Sequence, residues 1–198
     1  MNRFTLPITL ATLLLASHSH AQVSYTGGVY SQNFDTLQGN TNNTTGVTWT
    51  NNSTLPGWYS SQTTYGVTNG TMGGTAATFN PTGTAANVGL FSFGSSSSTD
   101  RALGSRATSA VAGNSNIYYG VRLVNQTAQT ISSFTVTFTG EQWHKNGATT
   151  AHTLPVQYLL GATDISTGSW APIATFHLLS IPPPSPASMA TPPQTAAE

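Results

Sequence analysis

From Phe134 to Phe138 the chain reads Phe-Thr-Val-Thr-Phe, apolar and polar in strict alternation. A period of two places the apolar side chains on one face of a strand and the threonines on the other. The rest of the chain repeats this habit in short runs. Candidate strands begin at GGVYSQNFDTL (Gly27 to Leu37), at VTWTNN, at Trp58-Tyr59 and at VGLFSFG (Val88 to Gly94). RALGSRAT follows the SSSSTD loop as the hairpin partner of VGLFSFG. NIYYGVRLVNQT, ISSFTVTFTGEQWH, TLPVQYLLGA and WAPIATFHLL complete the series. Turn-forming residues separate the runs, Pro56-Gly57, Asn69-Gly70 and Asn146-Gly147 among them. No helical period appears after the first residues. About eight strands at near-regular spacing predict an all-β, antiparallel, jelly-roll-like β-sandwich.

The beginning of the chain is different. Arg3 precedes an apolar run from Phe4 to Ala16, and Ser19-His20-Ala21 offers the small residues that a signal peptidase reads. A spanning helix needs ~20 apolar residues, so the run is read as a secretory leader cut after Ala21. The sandwich domain is then assigned to residues 22–180, and a Pro-rich, linker-like tail to 181–198. No second apolar stretch is long enough to span a membrane. The expected location is extracytoplasmic.

Composition narrows the chemistry. Only 5% of the residues are charged, and there is no cysteine. Without Arg3, acidic side chains outnumber basic ones by one, and no basic patch exists for nucleic acid. Thiolate chemistry is excluded, and so are disulfides, although export would permit them. The fold must be held by its core and its hydrogen-bond ladders.

Against that background GEQWHKNG (Gly140 to Gly147) is dense in chemistry. Glu141 as a general acid or base with His144 is one reading. On a regular strand, however, residues three apart face opposite sides. A structural reading pairs Glu141 with an arginine, Arg101 first and Arg122 second, because a buried carboxylate needs a partner. A third reading is a glycan site, since exposed aromatic rings and neutral hydrogen-bonding groups suit sugars. Its candidates are Trp58, Tyr59, Gln142 and Trp143, with Trp49, Tyr65, Asn51 and Asn52 beside them. No GxSxG elbow, HExxH pair, phosphate loop or EF-hand-type loop occurs. Metal donors to weigh are His144, His152 and His177 with Glu141 or Asp164, or Asp35, Asp100 or Asp164 with backbone carbonyls for calcium. No metal and no cofactor is expected.

In the same order along the chain stand YSQNFDTL, TWTNNSTLPGWYSSQ, LFSFGSSSSTDRALGS, YYGVRLVNQT, FTGEQWHKNG and SWAPI. Together they resemble a secreted bacterial domain common at the N-terminus of PEP-CTERM sorting-signal proteins. They are also similar to regions of some exported lamin-tail and endonuclease/exonuclease/phosphatase proteins. The resemblance covers roughly Tyr30 to Phe176. It implies export and a β-sandwich, and it implies no established chemistry. His144 stands where arginine is common in such proteins. They also continue past the SW strand into a segment like LDGNAAANR. Read one frame over, the codons of Ser188 to Thr195 can encode Asp-Gly-Asn-Ala-Ala-Ala-Asn-Arg. The expectation is therefore a frameshift between about Phe176 and Ser185, a sandwich incomplete at its C-terminus, and a natural end other than Glu198. A genuine Pro-rich tail is the alternative. The expected function is non-catalytic: an extracytoplasmic surface or matrix domain. A carbohydrate-binding module with an extracellular polysaccharide as partner is the second expectation, and a secreted hydrolase the third.

Overall fold

The computed structural model describes residues 22–39, 46–68, 88–95, 98–106, 116–143 and 152–178. The expected leader, the Asn69-Gly70 and Asn146-Gly147 turns, His144 and the Pro-rich stretch lie outside them.

Among the described residues the protein is all-β. Ten strands follow in chain order: β1 (Val23–Tyr25), β2 (Val47–Thr48), β3 (Trp58–Ser60), β4 (Thr64–Val67), β5 (Gly89–Phe93), β6 (Ala102–Arg106), β7 (Tyr119–Val121), β8 (Leu123–Asn125), β9 (His152–Tyr158) and β10 (Ala171–Leu178). One sheet has four strands in the order β2-β4-β5-β6; three further sheets are the pairs β1-β8, β3-β7 and β9-β10. No helix among the described residues is long and apolar enough to cross a membrane.

The four-stranded sheet organises the core. Its registers set Tyr65 beside Leu90, Val67 beside Ser92, Leu90 beside Ser105 and Ser92 beside Leu103. These side chains share one face, because alternate residues point the same way. On that face Leu37, Trp49, Leu55, Tyr65, Val67 and Leu90 form the main buried cluster, with Trp58 of β3 and Tyr119 of β7 packed against it. The β3-β7 pair is therefore the second layer. On the opposite face Phe91 and Phe93 form a smaller cluster with Ala102 and Trp143. Leu90 and Phe91 are both 0% exposed although they point to opposite sides. β5 is thus covered on both faces, as its near-continuous apolar sequence requires.

The loop into β3 is built by two asparagines. Trp49 donates its indole N–H to Asn51 Oδ1 at 2.7 Å, and the same oxygen accepts the Ser60 backbone N–H at 2.7 Å. Asn52 takes a left-handed φ of 63° and accepts the Gly57 N–H on its side-chain oxygen at 2.8 Å. Gly57 has a φ of +79°, and a Cβ there would strike Val23, so the Pro56-Gly57 turn admits only glycine.

Three expectations are corrected. First, the sheets are mixed, not purely antiparallel. β4 pairs β5 in parallel, and so does β1 with β8. A parallel pair needs a connection of a dozen or more residues, and the stretch between Val67 and Gly89 is that long, where the sequence signals only a tight turn. The described ladders make one four-stranded sheet and three pairs. Second, Gly27 to Leu37 forms no strand; β1 lies just before it. Third, Ile131 to Thr139 has no ladder among the described strands, and Phe134 and Val136 are 58% and 50% exposed. Its alternation predicts a half-buried strand, but burial needs a covering layer as well as a period.

These positions separate cleanly in a stability experiment. Phe91→Ala should destabilise the protein by about 3–5 kcal/mol. Phe134→Ala, with the same chemistry at an uncovered site, should stay within about 1 kcal/mol. Urea unfolding of dilute protein followed by tryptophan fluorescence measures both; equal losses would contradict the layer assignment.

Candidate functional site

The sequence candidates fall into two places on opposite faces of the four-stranded sheet. Trp58 lies on the inner face. It meets Phe34 edge-on, with ring centroids 4.8 Å apart and planes at 79°, and donates its indole N–H to Tyr30 Oη at 2.9 Å. Tyr59, the next residue on β3, points the other way and is half-buried. Trp143 lies on the outer face. Its ring stacks on Phe93 at 6.2 Å with the planes only 11° apart, and its indole N–H donates to Glu141 Oε2 at 2.8 Å. Gln142 and Trp143 are half-buried, and Glu141 is exposed. The four residues expected to line one glycan site are therefore not brought together. Trp49 and Tyr65 belong to the core, at 4% and 3% exposure, and Asn51 and Asn52 build the loop described above.

The expected Arg101–Glu141 pair does not form among the described contacts. Arg101 is 3% exposed. Its Nε donates to Ser92 Oγ at 2.9 Å, and its Nη2 donates to Ser92 O at 2.6 Å and Thr68 O at 2.7 Å. Ser92 lies on the inner face and Phe93, which carries Trp143, on the outer. The sheet itself separates Arg101 from Glu141. The guanidinium is held by neutral acceptors, and its Nη1 has no hydrogen-bond partner. Burial lowers its pKa from the usual arginine range, while Tyr65 and Asp100 oppose that shift. Gly94 is essential to this arrangement, since a Cβ there would collide with Nη1.

Sequence reasoning missed the elbow that closes over this arginine. Asp35 Oδ1 accepts the Arg101 backbone N–H at 3.1 Å, and Asp35 Oδ2 accepts Asn33 Nδ2 at 2.6 Å. Phe34, between them, has a φ of 65°. That is a strained value for an aromatic residue. The strain is held by Gln32 Oε1, which accepts the Phe34 N–H at 2.9 Å, and by the packing on Trp58. Asn33 and Asp35 are turn-formers and mark a loop; nothing in Gln-Asn-Phe-Asp announces that the phenylalanine is the left-handed residue.

The remaining acids and histidines are dispersed. Asp164 Oδ1 accepts the Ser166 N–H at 2.7 Å in the β9-β10 loop. Asp100 is exposed beside Arg101. His152 and His177 sit near one end of the β9-β10 ladder, opposite Leu178 and Thr153. No group of three metal-ligating side chains occurs among the described residues. No protein-family profile, curated protein or solved structure matches the chain.

Two measurements test this description. Arg101→Ala removes three hydrogen bonds, to Ser92 Oγ, Ser92 O and Thr68 O, and should cost about 3 kcal/mol or more. Glu141→Gln keeps an oxygen for the Trp143 N–H and should change stability by less than about 0.5 kcal/mol. Equal large losses in thermal unfolding would restore the ion-pair reading.

A pH titration of stability tests the core. Burial raises the pKa of Tyr65 and Tyr119 above the ordinary 10.0, against opposing contributions that include a Tyr119–Ser105 hydrogen bond. The folded state prefers both phenols neutral, so this stability is complete below pH ~10 and is lost as the pH rises from there through the folded-state values. Tyr119→Phe should flatten part of that alkaline loss while costing about 1 kcal/mol at neutral pH. An unchanged alkaline limb would remove Tyr119 from the account.

Proposed function

We propose that the chain is an exported, non-catalytic domain serving as an extracytoplasmic surface or matrix component. The observation that carries this reading is where the carboxylates point. Asp35 holds the elbow and the Arg101 backbone, Glu141 holds the Trp143 indole, and Asp164 holds its own loop. Each acid's hydrogen bonds run to its own chain. Acid–base catalysis needs such groups converging on one substrate atom. The leader-like opening supports export. β1 begins at Val23, so cleavage after Ala21 would spare that strand. The ordered resemblance to secreted PEP-CTERM-associated domains points the same way.

A second reading, glycan binding, is favoured by Trp143. Its ring is held flat by Phe93, its N–H is fixed by Glu141, and it remains partly exposed. A fixed, amphipathic ring on a surface is what a pyranose stacks on.

One set of assays separates the readings. The purified chain is screened against oligosaccharide arrays and against polysaccharide, ester and phosphodiester substrates. The non-catalytic reading expects no turnover. Turnover abolished by Glu141→Gln in a folded protein would overturn it. The glycan reading expects saturable binding in the array, lost with Trp143→Ala at preserved near-UV circular dichroism and retained in Glu141→Gln with reduced affinity.

A further inference from the structure

Trp143 ends a stack of rings on the outer face of the four-stranded sheet. Phe91 and Phe93 have their centroids 5.4 Å apart with planes at 32°, and Trp143 follows 6.2 Å from Phe93 at 11°. The stack rests on Gly104 of β6, where a Cβ would come within 2.7 Å of the Phe93 ring. Phe91 and Phe93 are 0% and 6% exposed, whereas Trp143 is half-buried. The indole is therefore backed by packed core and still meets solvent. Glu141 fixes it further, with Oε2 accepting the indole N–H at 2.8 Å. That carboxylate is exposed. Neither Arg101 nor Arg106 offsets its charge. Arg101 is held by Ser92 and Thr68 on the inner face, and burial alone lowers the pKa of Arg106.

Resting on the glycan reading of this ring, we propose that Trp143 and Glu141 together take a cationic sugar, an oligosaccharide of unacetylated amino sugars. A pyranose laid on an indole presents its equatorial substituents at the rim of the ring. The Glu141 carboxylate stands at that rim, beside the indole nitrogen. An ammonium substituent there meets the carboxylate in a charge-assisted hydrogen bond and the indole in a cation–π contact. A hydroxyl or an acetamido group in the same place has neither the ion pair nor the cation–π attraction. A uronic acid sets like charges together, which is discrimination by repulsion. The chain has a formal net charge of +0, so the local carboxylate decides the sign. A lysine side chain or a free quaternary amine would supply the charge without the flat ring face that Trp143 matches. Exposed ion pairs and exposed cation–π contacts are each weak, so together they give a preference of about tenfold.

The test is calorimetric titration of the whole chain with oligomers of glucosamine, glucose and galacturonic acid of equal length, at a pH where the amines are charged. The glucosamine oligomer should bind about tenfold tighter than the glucose oligomer, and the galacturonate oligomer more weakly than both. Added salt should erode the first preference and leave glucose binding unchanged. Glutamine keeps an oxygen for the indole, so Glu141→Gln should level the three affinities while moving that for glucose by no more than about twofold. Trp143→Ala should abolish all three at preserved near-UV circular dichroism. Equal wild-type affinities for charged and neutral oligomers, lost in Trp143→Ala, would overturn this proposal and leave the glycan reading standing. A glucosamine preference that survives Glu141→Gln would overturn it too, since the charge would be read elsewhere. No binding of any oligomer would remove both.

Discussion

β5 has no solvent side, and the rest of the structure follows from that. Leu90 and Ser92 point into the main cluster; Phe91 and Phe93 point into the outer one. Covering a strand twice requires a layer on each side, and the chain provides them by different means. The inner layer is a second sheet, with Trp58 and Tyr119 laid on the cluster. The outer cover includes the ring of Trp143. The polar residue in this strand sets a further condition. Ser92 is 0% exposed, and its hydroxyl and carbonyl both accept from Arg101. A buried cation with no carboxylate is costly. Dipoles aimed at it reduce that cost, and they fix the arginine to one place. Through Asp35 the same arginine fixes the strained elbow at Phe34. Core, cation and elbow are one unit.

Much of this fold was legible because its causes are local. Val88 to Gly94 reads as a buried strand, and SSSSTD followed by RALGS reads as its hairpin return; the antiparallel β5-β6 ladder has that form. Trp58-Tyr59, TLPVQYLL and WAPIATFHLL were equally clear. What the period could not convey was partnership. Alternation fixes which residues share a face, but not whether anything lies over that face. Hence Phe134 and Val136, patterned for burial, are exposed. The same limit hid the parallel pairing of β4 with β5, whose crossover has no sequence signature of its own.

The candidate site was less legible for a related reason. Composition drew attention to Glu141 and Arg101 as a natural pair, since a chain with so few charges invites matching them. Proximity depends on which side of β5 each one occupies, and a single-residue difference in parity decides that. Arg101 shares the face of Leu103 and Ser105; Trp143, and Glu141 with it, shares that of Phe91 and Phe93. Neutral acceptors fulfil the role that was assigned to a carboxylate. The aromatic candidates divided by the same parity. Nor could spacing show that the indole of Trp58 is satisfied by Tyr30, a residue far back in the chain.

The two parts of the chain handle apolar surface differently. Up to Arg106, the only large hydrophobic side chain left exposed among the described residues is Val29; from Tyr118 to Ile173 there are nine. The β9-β10 hairpin contributes Tyr158, Leu160 and Ile173, although Ile165 of its loop lies against the backbone of Gly120. A fold with one saturated core and one open apolar region is under pressure to cover that region, because apolar area left in water costs ~25 cal/mol per Å².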